Sequence, residues 1–165
     1  METTKNLGKV DSIDLAEYVL QNYGSMSHLK LQKLLYYVEA LHLAYFDISL
    51  IDDEFQAWLH GPVSRRLYDA VKGHSILYTE VEYVNKGGKN PTEVIKQSLT
   101  QEQFELISDV LNEYSKLSSS QLETLTHEET PWIEARRGIP SGDRCENIIS
   151  KDTMKSFYKK ELFPF

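Results

Sequence analysis

The stretch LKLQKLLYYVEALHLAYF, residues 29–46, decides how the rest of the chain is read. Leu31, Leu34, Leu35, Val38, Leu41 and Tyr45 recur at three- and four-residue steps, and Leu29, Tyr36 and Leu43 widen the apolar arc. At 3.6 residues per turn those steps return to one side of an α-helix. An arc this wide leaves little circumference for water, so the helix belongs at the centre of a bundle rather than on its surface. Ser27 stands where a hydroxyl can cap the first turn. The sequence therefore predicts a mainly α, compact single-domain fold around a central apolar helix.

The flanking sequence agrees with a bundle. Upstream, Asp11 or Ser12 can cap a helix with Ile13, Ala16, Leu20 and Tyr23 on one stripe, and Gly24 supplies a left-handed stop. Downstream, residues 47–59 lose the helical period, and IDDEFQAWL reads as a short strand or an irregular crossing segment. Gly61-Pro62 reads as a helix entry, since proline is tolerated where the first N–H has no partner, and this helix is expected to run to Lys72 before Gly73. Residues 76–84, ILYTEVEYV, followed by NKGGKN, suggest a small strand or β-hairpin.

Thr100 with Gln103 and Ser118 with Gln121 have capping-box spacing, and Phe104, Ile107, Val110, Leu111 and Tyr114 form the stripe after the first box. Thr130-Pro131 marks a brief helix, and Ser150 opens a last one carrying Met154, Phe157 and Tyr158. The apolar tail ELFPF is expected to dock onto the body. With no repeat or linker in view, residues 1–165 read as one domain.

At 165 residues the chain can bury a real core without staples. Its one cysteine, Cys145, excludes an internal disulfide and a multi-thiolate zinc site, which suits a reducing cytoplasm. A formal charge of -7 repels a phosphate backbone, so nucleic acid is disfavoured and a basic protein partner is easier to accommodate. Arg65-Arg66, Arg136-Arg137 and Lys151, Lys155, Lys159 and Lys160 could still form local basic faces. The opening residues lack the apolar run of a signal peptide, and no stretch approaches the roughly 18 apolar residues of a membrane span. A soluble cytoplasmic protein is expected.

Catalytic patterns fail on spacing. His127-Glu128 would need a second histidine at 131, where proline stands. There is no G-x-S-x-G elbow, Cys145 lies in GDRCEN without a neighbouring histidine, and NKGGKN lacks the spacing of a phosphate loop. No catalytic residue, metal or cofactor is expected. What stands out instead is aromatic: Trp58 shortly precedes one X-Pro step and Trp132 follows another. Tryptophan is a core anchor and also the residue type most enriched at binding hot spots. His60 is expected to support the first corner and His127 to bond to backbone in the second, the two together making a rigid platform.

Three ordered blocks carry a resemblance. Lys-Leu-Gln-Lys-Leu-Leu-Tyr-Tyr at 30–37, Ala-Trp with Gly-Pro-Val at 57–63 followed by Leu-Tyr at 67–68, and Leu-Thr-His-Glu with Pro-Trp and Ala-Arg at 125–136 resemble the SocA-like antitoxin domain, also called Panacea, of phage-associated proteins. The resemblance spans roughly residue 15 through the last helix. It implies a mainly helical antitoxin of a toxin-antitoxin pair, with a cognate toxin protein bound directly and, for some members, delivered to a cellular protease. It brings no catalytic residues. Some relatives carry additional segments, including DNA-binding ones, whereas this chain is expected to be little more than the shared domain. The partner surface is expected around Lys33, Tyr36, Trp58, His60, Pro62, His127 and Trp132. The alternative, from another class, is a small hydrolase or nuclease whose His60 and His127 converge on acids across the fold.

Overall fold

A computed structural model describes residues 6–71, 80–83 and 88–164. In chain order its helices are α1 (Ser12–Tyr23), α2 (His28–Phe46), α3 (Arg65–Val71), α4 (Pro91–Ser98), α5 (Gln101–Tyr114), α6 (Ser119–His127), α7 (Thr130–Ala135) and α8 (Lys151–Leu162). Four short strands, β1 (Met26–Ser27), β2 (Phe55–Trp58), β3 (Gly61–Ser64) and β4 (Glu80–Val81), make two antiparallel pairs, β1 with β4 and β2 with β3. The protein is mainly α with small strand pairs, as the sequence predicts.

Helix α2 is the axis. It is buried on every side from Leu31 through Ala44, and α1, α5, α6, α8 and the β2–β3 hairpin pack around it. Ser27 caps it by accepting from the Lys30 amide at 3.1 Å, and Asp47 ends it in the left-handed region at φ 68°. Burial this complete traps polar side chains, which need partners inside the fold. Glu39 accepts from the amides of Leu50 and Ile51 at 2.8 and 3.1 Å and pairs with Lys151 at 2.9 Å. His42 bonds through Nδ1 to the Ile48 carbonyl at 2.8 Å and through Nε2 to the Gln103 amide at 3.0 Å. Both predicted capping boxes are present, at Thr100 with Gln103 and at Ser118 with Gln121.

The structure corrects the sequence reading in three places. Gly61-Pro62 does not start a helix: Pro62 lies in β3 opposite Ala57, and α3 begins at Arg65. The proline is harmless there because Ala57 turns its polar groups away from β3, its N–H donating to the Asn147 carbonyl at 2.8 Å and its carbonyl accepting from Arg136 at 2.9 Å. The Ala57–Pro62 pair thus asks for no proline N–H. The strand expected within residues 76–84 pairs with β1 over Glu80–Val81, and the parts of that expectation at 76–79 and 84–87 lie outside the described residues.

Gly24 ends α1 at φ 89° and ψ 176°, a glycine conformation outside the left-handed helical well. The described part of the tail does not dock as expected: Leu162 and Phe163 are exposed, and Phe165 lies outside the described residues. Lys159 pairs with Asp47, and Phe163 stands 6.3 Å from Tyr45 ring to ring, so α8 finishes beside the end of α2, where little body remains to pack against.

Candidate functional site

The two tryptophan-bearing corners meet. The β2–β3 hairpin turns through Leu59 and His60, with Trp58 opposite Gly61. Helix α7 starts after Glu129 with Pro131 in its first turn, which sets Trp132 against the hairpin. The Trp132 indole N–H donates to the Trp58 carbonyl at 2.9 Å. Arg136 reinforces the junction, donating to the Ala57 carbonyl at 2.9 Å and to the Asp143 carbonyl at 2.5 Å while its guanidinium lies 5.0 Å from the Trp132 ring centroid. Neither tryptophan is a fully buried core anchor; each is half-buried and presents part of its ring to solvent.

The histidines differ in their surroundings. His60 Nδ1 sits 3.2 Å from a Glu123 carboxylate oxygen of α6. His127 stacks on Trp132, rings 3.8 Å apart and 13° from parallel. Its Nε2 is buried with no hydrogen-bond partner. Burial lowers the His127 pKa, with Glu123 acting in the opposite direction. Among the described residues no group of three or more His, Cys, Asp and Glu side chains is placed to hold a metal ion.

Beneath the hairpin lies Lys33. Its side chain is fully buried and its Nζ has no hydrogen-bond partner. Burial holds the ammonium down from an ordinary 10.5 to about 8, with the charge of Glu123 working the other way. Gly61 presses on it from above: a Cβ there would stand 2.8 Å from Lys33 Cε, and its φ of 127° is one that side-chain-bearing residues rarely adopt. The neighbouring Gln32 grips the hairpin directly. Its carboxamide accepts from the Ser64 N–H at 2.9 Å and donates to the Ser64 carbonyl at 3.3 Å.

The second corner is tied to α2 by a separate network. Glu129 accepts from the hydroxyls of Tyr37 and Tyr158, each at 2.6 Å, and Tyr158 in turn lies 3.1 Å from the Tyr36 hydroxyl. Burial raises the Glu129 pKa, against the lowering effect of the two tyrosines. Tyr36 also packs edge-on against Phe55 at 5.4 Å. The structure therefore gathers Trp58, His60, Pro62, His127 and Trp132 at one junction. Lys33 and Tyr36 lie inside the fold and reach a surface only through what they hold.

The geometry turns on polar residues at apolar positions of α2 and on the join between the hairpin and α7. A family model described as Antitoxin SocA-like, Panacea domain, matches residues 31–133. The chain belongs to this family. The match takes in Lys33, the whole hairpin, Glu123, His127 and Trp132, so it covers the junction just described up to Trp132 and stops short of Arg136; it is narrower than the span expected from the three blocks. No curated protein and no solved structure matches the chain.

Sequence reasoning missed three residues of this Panacea junction. Gln32 carried a signal, since a polar side chain on an all-round apolar helix must find a partner. Glu123 lies on the ordinary polar face of a short helix and does not stand out without the fold; Arg136 falls in a basic pair and in the third family block, neither of which gives it a role.

Proposed function

We propose that this chain is an antitoxin that neutralises a cognate toxin by direct protein–protein contact, acting in the cytoplasm and without catalysis of its own. The family match over residues 31–133 carries this reading. The rigid junction supports it: two half-buried tryptophans, the residue type most often found at binding hot spots, are fixed to each other through backbone. Trp58, His60 and Trp132 would meet the toxin, while Pro62, His127, Lys33 and Tyr36 hold their positions. No described helix is long and apolar enough to cross a membrane.

Co-expression with the product of the neighbouring reading frame tests the reading. An antitoxin restores growth and co-purifies with that product; a toxic neighbour that is neither rescued nor retained overturns the proposal. Whether the toxin is also handed to a cellular protease is read from its half-life in the same cells, which falls on co-expression only if delivery occurs.

A further inference from the structure

Beside the hairpin, between its turn, α3 and the loop before α8, runs a groove of about 390 Å³. Its floor is apolar and aromatic, made by Leu29, Trp58 and Tyr68. Its walls carry two guanidinium groups, Arg65 and Arg144, and one carboxylate, Glu146. Arg65 spreads over the floor, its guanidinium 5.9 Å from the Trp58 ring centroid and 5.6 Å from that of Tyr68. Its carboxylate contacts are loose, 3.4 Å to Asp69 and 4.0 Å to Glu146. Arg144 is exposed and makes no ion pair among the described residues. His60 closes one end, and the buried Lys33 ammonium lies just under the turn that carries it.

The two guanidinium groups outnumber the single carboxylate of the lining, against the trend of a chain of formal charge -7. Charges farther away than a Debye length of about 8 Å are screened at physiological salt, so the local balance of two guanidinium groups and one carboxylate governs what enters the groove. A floor that takes an apolar side chain, rimmed by guanidinium groups with donors to spare, is complementary to a carboxylate beside an apolar residue. We propose that this groove receives a short segment of the protein partner that presents an apolar side chain flanked by carboxylates. The proposal rests on the antitoxin reading for the partner's identity, but the chemistry of the groove can be tested without it.

Panning phage-displayed random peptides against the full chain is the direct experiment. Selected peptides carry Asp or Glu next to Trp, Phe or Leu, and their affinity, read by fluorescence anisotropy, falls with added salt. Reversing both rim charges in R65E/R144E weakens them by about tenfold or more, as expected for charges that face a partner directly. W58A does the same, while R137E, an exposed arginine away from the groove, leaves them unchanged. Both rim arginines are exposed, so R65E/R144E folds with a circular dichroism melt lowered only by the loss of the Arg65 contacts to Asp69 and to the Trp58 and Tyr68 rings, and the result does not hang on W58A folding.

The proposal is overturned if no peptide is enriched, if enriched peptides are basic or neutral, or if they bind R65E/R144E as tightly as the parent. Saturable binding of benzoate with no peptide selected also overturns it, in favour of a small-molecule site. The two proposals separate in the co-expression assay. If the parent chain rescues growth and R65E/R144E rescues equally, the groove assignment falls and the antitoxin stands; if the parent fails to rescue, the antitoxin reading falls.

Discussion

Replacing Lys33 by methionine should make the protein more stable and a poorer binder. The ammonium is fully enclosed, has no hydrogen-bond partner, and ionises at about 8 instead of 10.5. At 1.36 kcal/mol per pH unit, that displacement is a cost of about 3 kcal/mol for keeping the proton at neutral pH. Methionine retains the length of the aliphatic stem beneath Gly61 and removes the charge, so about 2 kcal/mol should be recovered, raising Tm by about 4–8 °C. The sign is checked by pH. The unfolded chain holds this proton to near 10.5 and the folded chain releases it near 8, so the unfolded state binds more protons between these values and parental stability rises through the window. Urea denaturation should show the parent gaining about 2 kcal/mol between about pH 7 and pH 9.5 relative to K33M. The difference between the two profiles isolates Lys33 from Lys30, whose pKa burial also lowers, and from the buried tyrosines, which titrate above the window. Affinity for an acidic peptide in the groove should fall in the same variant. A destabilised K33M with a flat difference profile would refute the reasoning, because it would mean that the ammonium is well satisfied where it lies.

Q32A should cost about 3 kcal/mol by urea denaturation, since it leaves the Ser64 N–H and carbonyl without their buried partner, and hydrogen exchange at the Ser64 amide should accelerate with it. G61A should destabilise by about 1–3 kcal/mol from its backbone conformation and its contact with Lys33 Cε; K33A should relieve only the contact, giving a positive coupling in a double-mutant cycle by thermal melts. On acidification, stability should fall between about pH 6.5 and pH 4. His28 and His42 ionise at about 4 in the folded chain against 6.5 for a free imidazole, so the unfolded state takes up protons first, worth up to about 3 kcal/mol each. Glu39 and Glu129, whose pKa values burial raises, offset part of this at the acid end, and denaturation curves at the two pH limits read the net loss.

The helical frame was legible because its signals are local. The stripe of α2, the serine and threonine caps and both capping boxes depend on residues within one or two turns of each other, and they formed as read except at Tyr45, which the end of α2 leaves exposed. Pro62 was misread because the same dipeptide suits a helix start and a strand position that donates no hydrogen bond. Only the turning of Ala57 toward Asn147 and Arg136, residues some 80–90 positions away, decides between them. The candidate site was half legible for the same reason. Trp58 and Trp132 announced themselves by type, and their expected adjacency is met by a single indole-to-carbonyl bond. The expected backbone bond of His127 gives way to stacking on Trp132, with Nε2 unpartnered, because α7 brings the indole face over the imidazole. Arg65 and Arg144 gained meaning only when folding brought them to the two sides of one aromatic floor.

The Gln32 carboxamide has the same donor and acceptor that a neighbouring strand would offer to Ser64, and residues 147–149 run along the opposite margin of the hairpin through Ala57 and Phe55. With Pro62 offering no donor between them, both outer rims of this two-stranded ribbon are closed to β-augmentation. Recognition here must therefore proceed through side chains, so a partner's loops and helices are admissible ligands while an invading extended peptide finds no ladder to extend.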